Sequence, residues 1–208
     1  MANIIWFFIC LVGMFLMIPL HFLSVEHLKF QKKYGTEKGE KITSILGMAS
    51  GWGFFIFLFG IWISPQPRFT IPLLQNITIL IPILKFPIPL LHLLISIPFI
   101  IFGAVFGILG VKATTLKVSE THKAEKIVTT GIYSRIRHPQ YFGAILAHIG
   151  ISILLSSLYS LIATPLIILY NYITSWKEES ELIKEFGQEY EVYKKGVPML
   201  FPRVKKKI

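Results

Sequence analysis

The sequence predicts an all-α, polytopic membrane protein with five transmembrane helices. The last two form a helical hairpin, and a cytoplasmic C-terminal amphipathic helix follows them. Three observations carry this. Of the 208 residues, 53% are apolar and only 15% charged, where a soluble domain carries roughly a quarter charged. The apolar residues are gathered into long uncharged runs rather than spread at a helical or strand period. The basic residues between those runs sort the loops to two sides of a bilayer. A water-soluble globule is excluded.

Ile4–Leu23 is the first apolar stretch, 20 residues long, and at 1.5 Å rise it covers about 30 Å, enough to span. Met1-Ala2-Asn3 lacks the basic n-region of a signal peptide, and Pro19-Leu20-His21-Phe22 is a poor cleavage site, so it reads as a retained first helix. Ile42–Ile63 is an uncharged run of 22 residues and Phe86–Val111 one of 26, with Pro87, Pro89 and Pro98 towards its start. Pro139–Trp176 stays uncharged for 38 residues, too long for one crossing; it reads as a hairpin broken near Ser156-Ser157.

Ile71–Leu84, 14 apolar residues between Arg68 and Lys85, is too short to span. Basic-residue placement agrees. The loop 24–41 holds five Lys, the loop 112–138 six Lys or Arg, and the chain from Lys177 onward eight. Five spans put all of these on one side and leave Arg68 and Lys85 on the other. The expected topology therefore has the N-terminus outside, with residues 24–41, 112–138 and the C-terminus cytoplasmic. The segment 64–85 becomes an external interfacial or re-entrant piece. Residues 1–111 form an N-terminal set of three spans, and residues 112–208 a second region built around the hairpin 139–176.

The net charge is +10, from 21 Lys and Arg against 11 acidic residues. Its excess lies in loops and tail rather than on one folded face, which argues against a nucleic-acid partner and for membrane lipids. The lone Cys10 allows no disulfide within the chain.

Two cytoplasmic stretches flanking the hairpin hold the chemistry. In the first, Ala124–Gly143, Pro139 suits the first position of a helix and His138 its cap. The free N–H groups of Gln140 and Tyr141, with Arg135, Arg137 and His138, make a site for a carboxylate or phosphate; contact with lipid phosphates is the alternative. In the second, Trp176–Arg203, Glu178 and Glu179 follow the last span, where a helix end favours cations. They either neutralise Lys177 and Lys184 or receive an ammonium. An anion site and a cation site at one mouth suit a zwitterion. Leu182, Ile183, Phe186, Tyr190 and Tyr193 recur at the spacing of an amphipathic helix.

The six His, at 21, 27, 92, 122, 138 and 148, show no metal-ligand spacing, and no metal is expected. His92 and His148 lie in spans, where interhelical hydrogen bonding competes with a functional role. Gly103, Gly107 and Gly110 have the spacing of close helix packing. There is no GxGxxG, P-loop or GxSxG.

VTTGIYSRIRHPQYFG (128–143) and EESELIKEFGQEYEVYKKGVP (178–198), the latter leading to FPR, together resemble the isoprenylcysteine carboxyl methyltransferases, relatives of membrane phospholipid and thiol methyltransferases. The resemblance implies S-adenosyl-L-methionine at the cytoplasmic face over the hairpin and a lipophilic methyl acceptor entering from the bilayer. By position it implies cofactor contacts from Glu125, Lys126, Ile127, Val128, Tyr133, His138, Pro139, Gln140, Tyr141 and Glu178. Arg137 would hold the acceptor or a lipid phosphate, and Glu179, His138 or His148 would take a proton where the acceptor carries one. Two positions depart from the family: Glu125 stands where it has His, with His122 nearby, and Thr174 where it has an Arg for the acceptor carboxylate. Sterol-reductase-like NADPH-dependent enzymes share a similar pocket but match the paired Glu178-Glu179 less well. A transporter would show two repeated halves, and a non-enzymatic scaffold has no use for this polar set at one face.

Overall fold

The computed structural model describes residues 2–73, 77–80, 87–124 and 126–203, with side chains from Ile4. Five long helices run alternately between two ends of the molecule: α1 (Ala2–Val25), α3 (Thr36–Ile63), α4 (Leu90–Thr114), α6 (Pro139–Leu154) and α8 (Thr164–Phe186). Short helices α2 (His27–Tyr34), α5 (Leu116–Thr121) and α9 (Gln188–Gly196) gather at one end, and α7 (Leu158–Ile162) caps the other. Of the described helices, α1, α3 and α4 are long and apolar enough to cross a membrane. α6 is apolar but shorter, with 16 residues, and α8 carries a charged second half.

Two packing groups make the body. Phe7 and Met14 of α1, Phe54, Leu58 and Ile61 of α3, and Ile167 and Tyr170 of α8 form one buried cluster, in which the Phe54 and Tyr170 rings stack at 4.6 Å. α4 and α6 form the other group, and there small residues govern the approach. A Cβ on Gly143 would come 2.7 Å from the Gly103 carbonyl oxygen and 2.8 Å from the Gly107 nitrogen. One on Gly103 would meet Ala147 N and Gly143 O at 2.8 Å, whereas one on Gly107 points into open space. Between apolar helices in lipid, such van der Waals contact replaces the hydrophobic drive of a soluble core. Ile5, Phe8, Trp52, Phe55, Ile101 and Phe102 are all more than half exposed on the outer faces, as expected where the surroundings are hydrocarbon.

Several expectations need correcting. The helix expected from Phe86 begins at Leu90, because Pro87 and Pro89 lie in a two-stranded antiparallel ribbon, β1 (Thr78–Leu80) with β2 (Pro87–Pro89), in register Ile79 to Ile88. Proline supplies no N–H and pushes its predecessor to extended backbone, so the chain stays extended up to Pro89. Parts of the expected segment 64–85 lie outside the described residues. The hairpin turns at 155–163, where Ser156 adopts a positive φ of 55°. Its second limb does not end at Trp176: α8 continues to Phe186, so Glu178 and Glu179 sit inside a helix and not at its carboxyl end. The apolar positions expected on one amphipathic helix are divided between α8 and α9 by Gly187, whose φ of 56° stops the first of them.

Basic segments meet at one end. Lys177 pairs with Glu26 at 2.9 Å and Lys123 with Glu40 at 2.6 Å, while Arg68 donates to the Leu155 carbonyl at the opposite end, 2.7 Å away. The glycine contacts yield a test. Gly103→Ala or Gly143→Ala should cost about 1–3 kcal/mol and lower the detergent-solubilised melting temperature by several degrees. Gly107→Ala should leave it unchanged, as measured by a fluorescence melt of the three variants.

Candidate functional site

α6 starts at Pro139, whose ring fixes φ and whose missing N–H costs nothing at that position. The cap residue His138 makes no side-chain bond to the helix it caps, which leaves the first-turn N–H groups of Gln140 and Tyr141 uncapped by it. Its imidazole is directed instead at two carboxylates. Nε2 lies 3.2 Å from Glu179 Oε1 and Nδ1 3.4 Å from Glu178 Oε2. A ring facing an anion on each nitrogen is an imidazolium. Burial alone lowers the His138 pKa, but the two glutamates outweigh it and raise it.

Glu179 is fully buried and held from the other side by Arg137. Nε donates to Oε1 at 2.7 Å and Nη2 to Oε2 at 3.0 Å, a bidentate pair. Arg137 Nη1 donates to the carbonyls of Lys194, at 2.8 Å, and Val197. The backbone follows: Arg137 N donates to Pro198 O at 2.9 Å and His138 N to Met199 O at 3.1 Å. The loop before α6 is thus tied to the chain after α9. Each of the three Arg137 nitrogens is thus engaged within the protein, and the residue also lines the cavity described below.

Glu178 is one residue earlier in α8 and faces elsewhere. It accepts from the Tyr141 hydroxyl and lies 3.1 Å from His21 Nε2 on α1. Burial raises its pKa, but His138 and His21 overcome this and hold it well below the ordinary carboxylate range. It is therefore an anion on the wall of a cavity of about 650 Å³, a size typical of small-molecule sites. Lys126, Ile127, Val128, Tyr133, His138, Gln140 and Tyr141 also line that cavity. Pro139 is buried behind it, and Glu125 lies outside the described residues.

His148 is not at this site. It sits ten residues along α6, about 15 Å away at 1.5 Å per residue. Trp62 Nε1 donates to its Nδ1 at 3.0 Å, and its Nε2 donates to Ser160 O at 3.1 Å. His92 is likewise engaged, accepting from Ile71 N at 3.1 Å with Nδ1 2.9 Å from Ser156 Oγ. Both histidines join helices by hydrogen bonds. The residues that sequence reasoning did not assign to the site are His21 and His27, from α1 and α2; no motif surrounds either, and only the packing of α1 against α8 brings His21 to Glu178.

The Glu179 carboxyl is pushed up by burial but pulled down further by His138 and Arg137, from 4.5 to about 2. Its stabilising effect is therefore full above about pH 4.5 and lost as pH falls towards 2. Glu179→Gln, which leaves Arg137 buried without its counter-ion, should cost about 3–5 kcal/mol at neutral pH. The melting-temperature gap to wild type should narrow steadily below pH 4.5; a gap constant down to pH 2.5 would contradict the ionised pair.

The family model for phospholipid methyltransferases matches residues 90–189. The protein-S-isoprenylcysteine O-methyltransferase of Schizosaccharomyces pombe is 32% identical over 97 residues, 46% of this chain and 41% of that one. Those of Xenopus laevis and Homo sapiens are 35% and 36% identical over 95 residues, 42% of this chain and 31% and 30% of theirs. The matched part is thus less than half the length of each of these curated relatives.

Proposed function

We infer that this chain, which is similar over residues 90–189 to the phospholipid methyltransferase family model and over about 95 residues to isoprenylcysteine O-methyltransferases, is an integral-membrane S-adenosylmethionine-dependent methyltransferase with a lipophilic acceptor. The observation that carries this reading is the meeting, in one cavity of about 650 Å³, of a helix start and an ionised carboxylate. An amino-acid zwitterion fits between them. Its carboxylate takes the N–H groups of Gln140 and Tyr141 at the positive end of α6, and its ammonium takes Glu178. Lys126, Ile127, Val128 and Tyr133 border the space left for an adenosine. Pro139, Arg137 and Glu179 act as positioning residues: they fix where the helix starts and how His138 faces Glu178. His148 has no part in the chemistry.

When bound, the cofactor supplies a methyl group on a cationic sulfur. The protein's task is alignment of the acceptor and exclusion of water. Attraction between the sulfonium and an anionic acceptor grows as the local dielectric falls. A carboxylate or thiolate acceptor needs no base; an amine or thiol must first lose a proton. Isoprenylcysteine, which the relatives' names carry, offers a carboxylate; phospholipid amines or thiols are the other acceptor class. Thr174 is buried and donates its hydroxyl within α8, to Tyr170 O at 3.0 Å, so that position offers an acceptor carboxylate no cation. The acceptor enters from the bilayer between helices. Residues 1–111 anchor the fold and residues 112–208 hold the cofactor. This reading takes five spans, with the N-terminus outside and the basic, cavity-bearing end in the cytoplasm, and the Lys and Arg of 24–41, 112–138 and the chain from Lys177 support it.

Calorimetry of the detergent-purified chain should give saturable one-to-one binding of S-adenosylhomocysteine and none of NADPH. Glu178→Gln should weaken it at least tenfold. Binding of NADPH alone would move the chain to the reductases.

A further inference from the structure

Three side chains that no sequence motif links converge beside the cavity, two of them, His122 and Glu178, on its wall. They are His21 on α1, His122 just after α5, and Glu178 on α8. One nitrogen or oxygen from each lies within 4.8 Å of the other two. The contact between His21 and Glu178 is unusual. The atoms are 3.1 Å apart, yet the in-plane direction of Nε2 misses the oxygen. Among the described residues, His21 Nε2 is the buried side-chain polar atom without a hydrogen-bond partner, on a residue only 4% exposed. Native folds seldom leave a buried nitrogen without a directed hydrogen bond unless it has another use.

His122 is prepared in a complementary way. The one proton of the Ser24 hydroxyl is donated to His21 O at 2.7 Å. Ser24 Oγ, 3.1 Å from His122 Nδ1, therefore accepts there. Nδ1 carries the hydrogen, and Nε2 keeps its lone pair. The His122 backbone is left-handed, φ 56°, an uncommon state for a residue with a side chain, and is held by His27 Nε2 donating to the His122 carbonyl at 3.1 Å. The two rings meet edge to face, 4.4 Å between centroids. The Tyr141 hydroxyl donates to Oε1 of Glu178, the oxygen that faces His21. Hydrogen bonds of this kind, orienting each ligand from outside, are what metal sites use to fix ring and carboxylate.

We propose that His21, His122 and Glu178 form a binding site for a divalent transition-metal ion of the zinc class. Two imidazoles and a carboxylate are a donor set suited to that class. A small ring rotation brings the three onto one ion at about 2.0–2.2 Å. The fourth position is open and faces the cavity, because His122 and Glu178 line it. The site shares Glu178 with the proposed ammonium contact: an ion takes Oε1, which faces His21, and leaves Oε2, which faces His138.

The test is a titration of the tag-free full chain in detergent, stripped with chelator, with Co²⁺ followed by visible absorption. One equivalent should bind saturably and be displaced by Zn²⁺. His21→Gln and His122→Gln should each weaken binding at least tenfold. Cobalt that fails to saturate, or that binds the double variant as tightly as wild type, overturns the site. Should the variants not yield monodisperse protein, X-ray absorption at the zinc edge of the wild type with one equivalent decides. Scattering from two imidazoles is expected, and an all-oxygen shell overturns the proposal.

Discussion

The buried ion pair between Arg137 and Glu179 is the constraint on which the site depends. Removing two charges from water costs several kcal/mol per ion, and only good geometry with every remaining polar atom satisfied offsets it. That condition is met here by a bidentate contact at 2.7 and 3.0 Å and by carbonyls from the chain after α9. His138 shares Glu179, so the orientation of the residue that caps α6 follows from the pair. Because His138 also faces Glu178, the anion on the cavity wall and the helix start opposite it are set by one network. Arg137, His138, Glu178 and Glu179 together come to two positive and two negative charges, which is why so dense a cluster can be buried beside a membrane.

The family match begins at residue 90, yet the cavity wall is not complete without what precedes it. α1 brings His21 against Glu178, and α2 brings His27 to the backbone of His122. Lys177 reaches back to Glu26 at 2.9 Å. The first three helices therefore both anchor the fold and shape the site. The polar contacts that seal the opposite end, Trp62 with His148 and His92 with Ser156, keep the limbs in register where lipid gives no hydrophobic drive between helices.

Much of this was legible in the chain. Uncharged runs located the long helices, and the distribution of Lys and Arg told which loops share an end, because both signals depend on residue type alone. The start of α6 was readable from Pro139, whose backbone preference is local. The boundaries that went wrong were set by less local causes. Pro87 and Pro89 were counted as part of an apolar run, although they hold extended backbone before Leu90. Charge begins at Lys177, but the charged half of α8 is as good a helix former as the apolar half and continues to Phe186. Arg137 looked free because its partners, Glu179 and two carbonyls of the last segment, are distant in sequence. His21 carried no signal at all: a lone histidine in an apolar stretch gains meaning only from the helix it packs against.

The role proposed for the carboxylate at the cavity wall and the helix start opposite it is methyl transfer to a lipophilic acceptor. The most direct measurement follows tritium from [methyl-³H]-S-adenosylmethionine into organic-extractable product, using membranes that contain the chain and a supplied isoprenylcysteine or phospholipid acceptor. Transfer that requires wild-type chain, and that falls at least a hundredfold with Glu178→Gln while the protein stays monodisperse, is the result expected. Label that enters no lipophilic product above membranes lacking the chain, or that enters equally with the variant, would contradict it.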